Sequence, residues 1–182
     1  VSTEILDAAE RVFTQYGARR ANVEDVAKAA GVSRSTLYRA YPTKEALLRA
    51  VLDREIDEFF DQLDALTAGL GPREAIVLAY SAGIGLTREI PLLGRLLETE
   101  PEILTGIGGD VETTTILGSA HRVAETLRRS GATMPDDELH IVAETMLRIA
   151  YTYMLQPHGS VDMTDPKAAE EYARRYLAPL VF

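Results

Sequence analysis

An all-α fold of about nine helices is predicted, with an N-terminal three-helix head and a larger helical domain behind it. Three observations predict it. Apolar residues recur at helical spacing along the chain, and no run sustains the period-2 alternation of a half-buried strand. Capping residues, prolines and glycines punctuate that pattern at regular intervals. A chain of 182 residues, 46% hydrophobic, is also long enough to bury a substantial core without cross-links.

Ser2 or Thr3 is expected to cap a first helix that carries the stripe Ile5, Leu6, Ala9, Val12, Phe13 and Tyr16 and ends at Gly17. Asn22 caps the second, with Glu24 and Asp25 in the first turn, where the helix dipole favours anions. That helix stops at Gly31, and Ser33 caps a short third one through Tyr38 and Ala40. Pro42-Thr43 breaks the chain, and Thr43 caps a long fourth helix with Leu47, Leu48, Val51, Leu52, Ile56, Phe59, Phe60 and Leu63 inward. Pro72 opens a helix to about Arg88, Pro91 one to about Glu98, and Pro101 a brief turn that runs into Gly106–Gly109. Helices over 110–129 and 136–155 follow, and Asp165-Pro166 sets an N-cap beside a first-turn proline for a last helix over 166–178. Domains of 1–46 and 47–182 are expected. A chain starting at Val1 is expected to have lost an initiator Met and any flexible arm.

Composition narrows the function classes. With no cysteine there is no disulfide framework, thiolate nucleophile or Cys-based zinc site. No apolar run is long enough to span a membrane and no signal peptide is visible, so a cytoplasmic location without a membrane partner is expected. The net charge of −9 argues at first against a polyanion partner. Its distribution argues otherwise. Residues 1–50 sum to +2, the remainder to −11, and between Gly17 and Arg49 seven basic residues face three acidic ones. Such asymmetry points to a polyanion-binding module joined to something else.

Val23 to Ala40 has the spacing of a helix-turn-helix: a small Ala27 where two helices cross, Gly31 four residues on for the turn, and Val32 and Leu37 packing the second helix back. Arg34, Ser35, Thr36 and Arg39 are then left outward. In this motif the second helix enters the major groove and its first residues reach base edges.

The words Ile5-Leu6-x-Ala-Ala-x-x-Val-Phe-x-x-x-Gly17 and Val23-x-x-Val26-Ala27-x-x-Ala30-Gly31-Val32-Ser33-x-x-Thr36-Leu37-Tyr38-x-x-Tyr41-x-x-Lys44-x-x-Leu47 closely resemble the tetracycline-repressor (TetR) family signature over about 45 residues. The resemblance implies a dimeric transcriptional regulator, usually a repressor released by a small ligand. It also implies that Tyr38 and Lys44 grip phosphates. Ser33 caps the recognition helix and can share a phosphate, and Arg34, Ser35, Thr36 and Arg39 are the readout candidates. Arg can pair bidentately with guanine, and Thr can offer hydroxyl or methyl to thymine. One position departs: Asn22 stands where the family often has Thr, so a phosphate contact there would come from an amide. Tyr41 is expected to pack beneath Lys44.

Helix 136–155 is apolar on more than one face, as expected of a helix buried against its own core and a partner. With helix 166–178 it resembles the family's two-helix contribution to an intersubunit four-helix bundle. A two-fold homodimer would set two recognition helices roughly 34–36 Å apart, or a multiple of it, on a palindromic double-stranded operator. An effector pocket is expected among helices four to eight, mostly apolar with a few polar anchors. Phe59, Tyr80, Ile84, Leu104, Ile116, Met146 and Tyr151 are candidate walls, and Thr113 and His121 candidate anchors beside Thr114, Ser119 and Arg148. These walls suit a hydrophobic or amphipathic effector. A salt bridge to Glu144 is the simpler use of Arg148.

His121-x-x-x-Glu125 and His140-x-x-x-Glu144 each put an imidazole and a carboxylate on one helix face. Together they could hold a metal, but i,i+4 surface pairing is the commoner use, and neither metal nor cofactor is expected. No P-loop or dinucleotide fingerprint is present. Ser119 and His121 do not face each other, so no catalytic constellation is recognised and an enzyme is not expected. The competing reading is a helical small-molecule-binding protein or enzyme whose head is structural; the basic 17–49 segment argues against it.

Overall fold

A computed structural model describes the backbone of residues 2–106 and 109–182 and the side chains of residues 2–104 and 116–182. Among the described residues there are ten α-helices and no strand. They are α1 (Ser2–Tyr16), α2 (Val23–Ala29), α3 (Arg34–Ala40), α4 (Lys44–Thr67), α5 (Pro72–Glu89), α6 (Pro91–Thr99), α7 (Pro101–Gly106), α8 (Gly109–Arg129), α9 (Asp136–Leu155) and α10 (Pro166–Tyr172). The brief turn expected after Pro101 is thus the helix α7. The expected caps form: Asn22 accepts from Glu24 N–H, Ser33 from Thr36 N–H, Thr43 from Ala46 N–H and Asp165 from Lys167 N–H. No single described helix is long and apolar enough to cross a membrane.

The chain forms two compact units. The first comprises Val1–Phe59 and Arg88–Ile107, the second Phe60–Thr87 and Gly108–Phe182. Compact packing therefore divides the chain differently from 1–46 and 47–182. The first unit takes in α6 because Leu92 and Leu96 are fully buried in the same core as Ile5, Phe13, Val26, Leu37, Leu47 and Val51. Each such side chain stabilises the unit by about 1.5–3 kcal/mol relative to exposure.

Polar contacts fasten these helices too. Arg54 of α4 bonds Asp7 and Glu10 of α1 at 2.5 and 2.6 Å. The α6 N-terminus has no side-chain cap from its own N-cap residue, Ile90. Instead Glu55, buried on α4, accepts from the N–H groups of Leu92 and Leu93, each at 3.2 Å. These are two of the orphan donors every helix start leaves. Beyond α6, Glu100 accepts from the N–H groups of Ala18 and Arg19 at 2.9 and 3.3 Å, holding the connection between α1 and α2.

In the second unit α8 and α9 run antiparallel, since Arg128 meets Asp136 and His121 meets His140. Their core gathers Ile76, Tyr80 and Ile84 of α5 with Leu127, Leu139, Met146, Met163 and Leu177. The last helix departs from the expected 166–178: α10 ends at Tyr172, a π-helical turn spans Ala173–Leu177, and a 3-10 turn spans Ala178–Leu180. Val181 is buried, and the Phe182 carbonyl accepts from Thr133 and Met134 N–H.

Candidate nucleic-acid interface

The helix-turn-helix is assembled by local rules. Asn22, in extended conformation, starts α2, and Val23, Val26 and Ala27 point into the core. Gly31 takes φ +66°, a conformation that costs glycine little. It lets Gly31 N–H reach the Lys28 carbonyl at 3.2 Å and Val32 N–H the Ala27 carbonyl at 3.0 Å, which satisfies the end of α2. Ser33 then caps α3, its hydroxyl bonded to those of Ser35 (2.9 Å) and Thr36 (2.8 Å).

Leu37 is the one buried residue of α3, and this fixes the helix's rotation. Ser33, Arg34, Ser35 and Arg39 are exposed as a consequence, while Thr36 and Tyr38 are half-buried. Arg34 is engaged in this state: it pairs with Glu24 of α2, and its guanidinium lies over the Tyr38 ring at 5.4 Å. An exposed pair of this kind is worth about 0–1 kcal/mol, so it yields readily to a base or phosphate. Arg39 has no ion-pair partner among the described residues.

Lys44, at the first position of α4, donates from Nζ to the Arg19 carbonyl at 2.8 Å. An ammonium has three donors, so two remain for an anion at a helix start that itself favours one. Tyr41 is half-buried against the first core, its hydroxyl 3.0 Å from that of Ser2. Asn22 spends its side-chain oxygen on capping and is exposed, leaving its amide to face outward chemistry. Guanidinium and ammonium groups of this kind can neutralise phosphates, and the hydroxyl and phenol groups can offer donors to phosphates or base edges.

The expected effector residues are only partly brought together. Tyr80, Ile84 and Met146 share the second core, while Ile116 and Tyr151 are half-buried. Burial raises the Tyr80 phenol well above its usual range, keeping it neutral. Leu104 packs against the first core, and Phe59 is half-buried at the end of the first unit. His121 is exposed and meets His140. Thr113 and Thr114 lie outside the residues whose side chains are described. Arg148 pairs with Glu144 at 2.8 Å.

Three carboxylates matter that helical periodicity did not single out. Glu24 engages Arg34, Glu100 holds the α1–α2 connection, and Glu55 caps α6. The last had a signal: it interrupts the inward stripe Leu48, Val51, Leu52 and Phe59, and a carboxylate on an apolar face needs donors to meet it. Burial, as the largest influence, pushes its pKa up to about 7.

Residues 5–51 match the family model described as bacterial regulatory proteins, tetR family. An HTH-type transcriptional regulator of Mycobacterium tuberculosis (strain H37Rv) is 34% identical over 118 residues, covering 64% of this chain and 58% of that protein. The HTH-type transcriptional regulator RutR of Escherichia coli (strain K12) is 29% identical over 143 residues, covering 76% of this chain and 66% of RutR. The chain thus spans under two thirds of either relative's length. Among solved structures, the TetR family repressor AlkX of Dietzia sp. superposes with a TM-score of 0.72 at 19% identity, over 98% of this chain and 93% of AlkX.

Proposed function

We propose that this chain, whose residues 5–51 match the family model for bacterial regulatory proteins of the tetR family, is a transcriptional regulator of that family and acts as a dimeric repressor on a palindromic operator. The observation that carries the reading is the α3 surface. Leu37 is buried with Tyr38 packed partly against the same core, and Arg34, Ser35 and Arg39 stand exposed on the most basic segment of an acidic protein. Ser33, Tyr38, Lys44 and the Asn22 amide flank that surface as phosphate contacts; Thr36 adds a hydroxyl near the readout face.

Dimerisation through α9 and the 166–178 segment is supported by the large apolar side chains they leave exposed, Ile141 at 65% and Tyr176 at 53%. A hydrophobic or amphipathic effector, met by Tyr80, Ile84, Met146 and their neighbours in the second unit, would release the operator. It can do so only through a difference in affinity between two states of the protein. The test is retention on duplex DNA as salt is raised. Phosphate neutralisation releases counterions, so binding must fall steeply with salt. Binding that ignores salt, or no binding to any duplex selected from a random pool, would sink the reading.

A further inference from the structure

We propose that His121 and His140 form a two-imidazole site for a divalent transition cation such as Zn2+, tying α8 to α9. His121 Nδ1 and His140 Nε2 lie 3.0 Å apart, with the rings within 24° of parallel. The outer nitrogen of each ring is directed at an oxygen. His140 Nδ1 sits 2.6 Å from the Asp136 carbonyl, which can only accept, so the proton of a neutral ring resides there. His121 Nε2 sits 3.4 Å from the Glu125 carboxylate, which draws that ring's proton outward as well. Both inner nitrogens then present lone pairs to the same point, an arrangement that calls for an electrophile between them.

The spacing suits a metal. Two nitrogens at about 2.0–2.1 Å from one zinc are ~2.9–3.4 Å apart for angles from square to tetrahedral. The Asp136 carbonyl and the Glu125 carboxylate, each facing the outer nitrogen of one ring, are the kind of oxygens that orient metal-bound histidines. Imidazole donors suit Zn2+, Cu2+ and Ni2+, whereas Mg2+ and Ca2+ prefer oxygen. Among the described residues the two imidazoles have no third His, Asp or Glu grouped with them as a ligand. His121 is exposed, so the ion can enter directly from solvent. Neither His-x-x-x-Glu pair shows this by itself: the fold joins the two imidazoles across the helices.

The chain's composition makes the test clean, because it has no cysteine and only one other histidine, His158, which lies 3.4 Å from Asp162. Tag-free protein is titrated calorimetrically with ZnCl2, with MgCl2 as control, beside H121A, H140A and H158A. One Zn2+ per chain is expected for wild type and H158A, with at least a tenfold loss in H121A and in H140A and no heat from Mg2+. Zn2+ should also raise the melting temperature of wild type and H158A alone, as ligation to the native state requires. A Cu2+ resonance spectrum of the wild type should show coupling to two imidazole nitrogens, which does not depend on any variant folding. No Zn2+ binding at millimolar concentration would mean a shared proton suffices between the rings, and would overturn the proposal. So would binding that survives both substitutions, or that H158A abolishes.

Discussion

The Glu55 carboxylate on α4 caps helix α6 through the N–H of Leu92, 3.2 Å away. The neighbouring Leu93 N–H is held by the other oxygen of the same carboxylate. This one buried acidic side chain thus supplies the cap that Ile90 cannot, and does so between helices far apart in sequence.

Ionising that group has a cost in the folded protein. Its pKa rises from 4.5 to about 7, chiefly through burial, with Glu10 adding to the rise and the Leu92, Leu93 and Arg54 interactions opposing it. The folded state therefore holds the proton more tightly than the unfolded chain. The contribution is fully present below about pH 4.5 and is lost as pH rises towards 7. Relative to Glu55→Gln, wild type should lose about 2 kcal/mol of stability across that window. Urea midpoints of both proteins from pH 4.5 to 8 check this, and parallel profiles would contradict it.

Gly94 sits where α6 passes the end of α5, and a Cβ there would stand 2.4 Å from the Arg88 carbonyl oxygen. Backbone cannot swing aside, so Gly94→Ala should destabilise by about 2 kcal/mol. Gly118 in α8 has open space around its Cβ position. There Gly→Ala should stabilise by roughly 0.5–1 kcal/mol through helix propensity alone. Denaturant melts of the pair test whether packing, rather than glycine content, decides.

Lys44→Ala should weaken DNA binding about equally on every duplex and lower the salt slope by about one, because its ammonium is assigned to a phosphate. Arg39→Ala should instead cost about 1–3 kcal/mol on the preferred operator and little on random DNA. Salt-dependent anisotropy titrations on both duplexes separate the two roles. Equal losses everywhere for Arg39→Ala would remove it from the readout set.

Glu24 forms an ion pair with Arg34 across α2 and α3. Glu24→Gln should free the guanidinium and remove a negative charge beside the phosphates, raising operator affinity a fewfold at low salt. A fall in affinity would mean that the Glu24 pair positions Arg34 for binding.

Ile141 on α9 is exposed, and Tyr176 in the π-helical turn is exposed although its ring meets Tyr172 and lies under the Arg175 guanidinium. Ile141→Glu with Tyr176→Glu should leave the melting temperature of the monomer nearly unchanged. The same change should shift sedimentation at micromolar concentration from dimer to monomer and abolish operator binding. A dimer that persists would place the interface elsewhere.

The sequence by itself determined what short-range physics controls. Asn22, Ser33, Thr43 and Asp165 cap the helices expected of them, since a cap needs only its own next few residues. Leu37 orients α3, and with it the candidate DNA face, by the same local periodicity. Periodicity could not foresee the π-helical turn after Tyr172, and no local rule drew Leu104 into the first core. Only the tertiary structure decided the contacts that bridge distant segments: Glu55 with Leu92 across 37 positions, Glu100 with Ala18 across 82, His121 with His140 across 19. The reason is physical. A cap or an amphipathic stripe is a relation among neighbours and leaves its mark on consecutive residues. A buried carboxylate or a facing imidazole pair is a relation between surfaces, and exists only once the helices have packed.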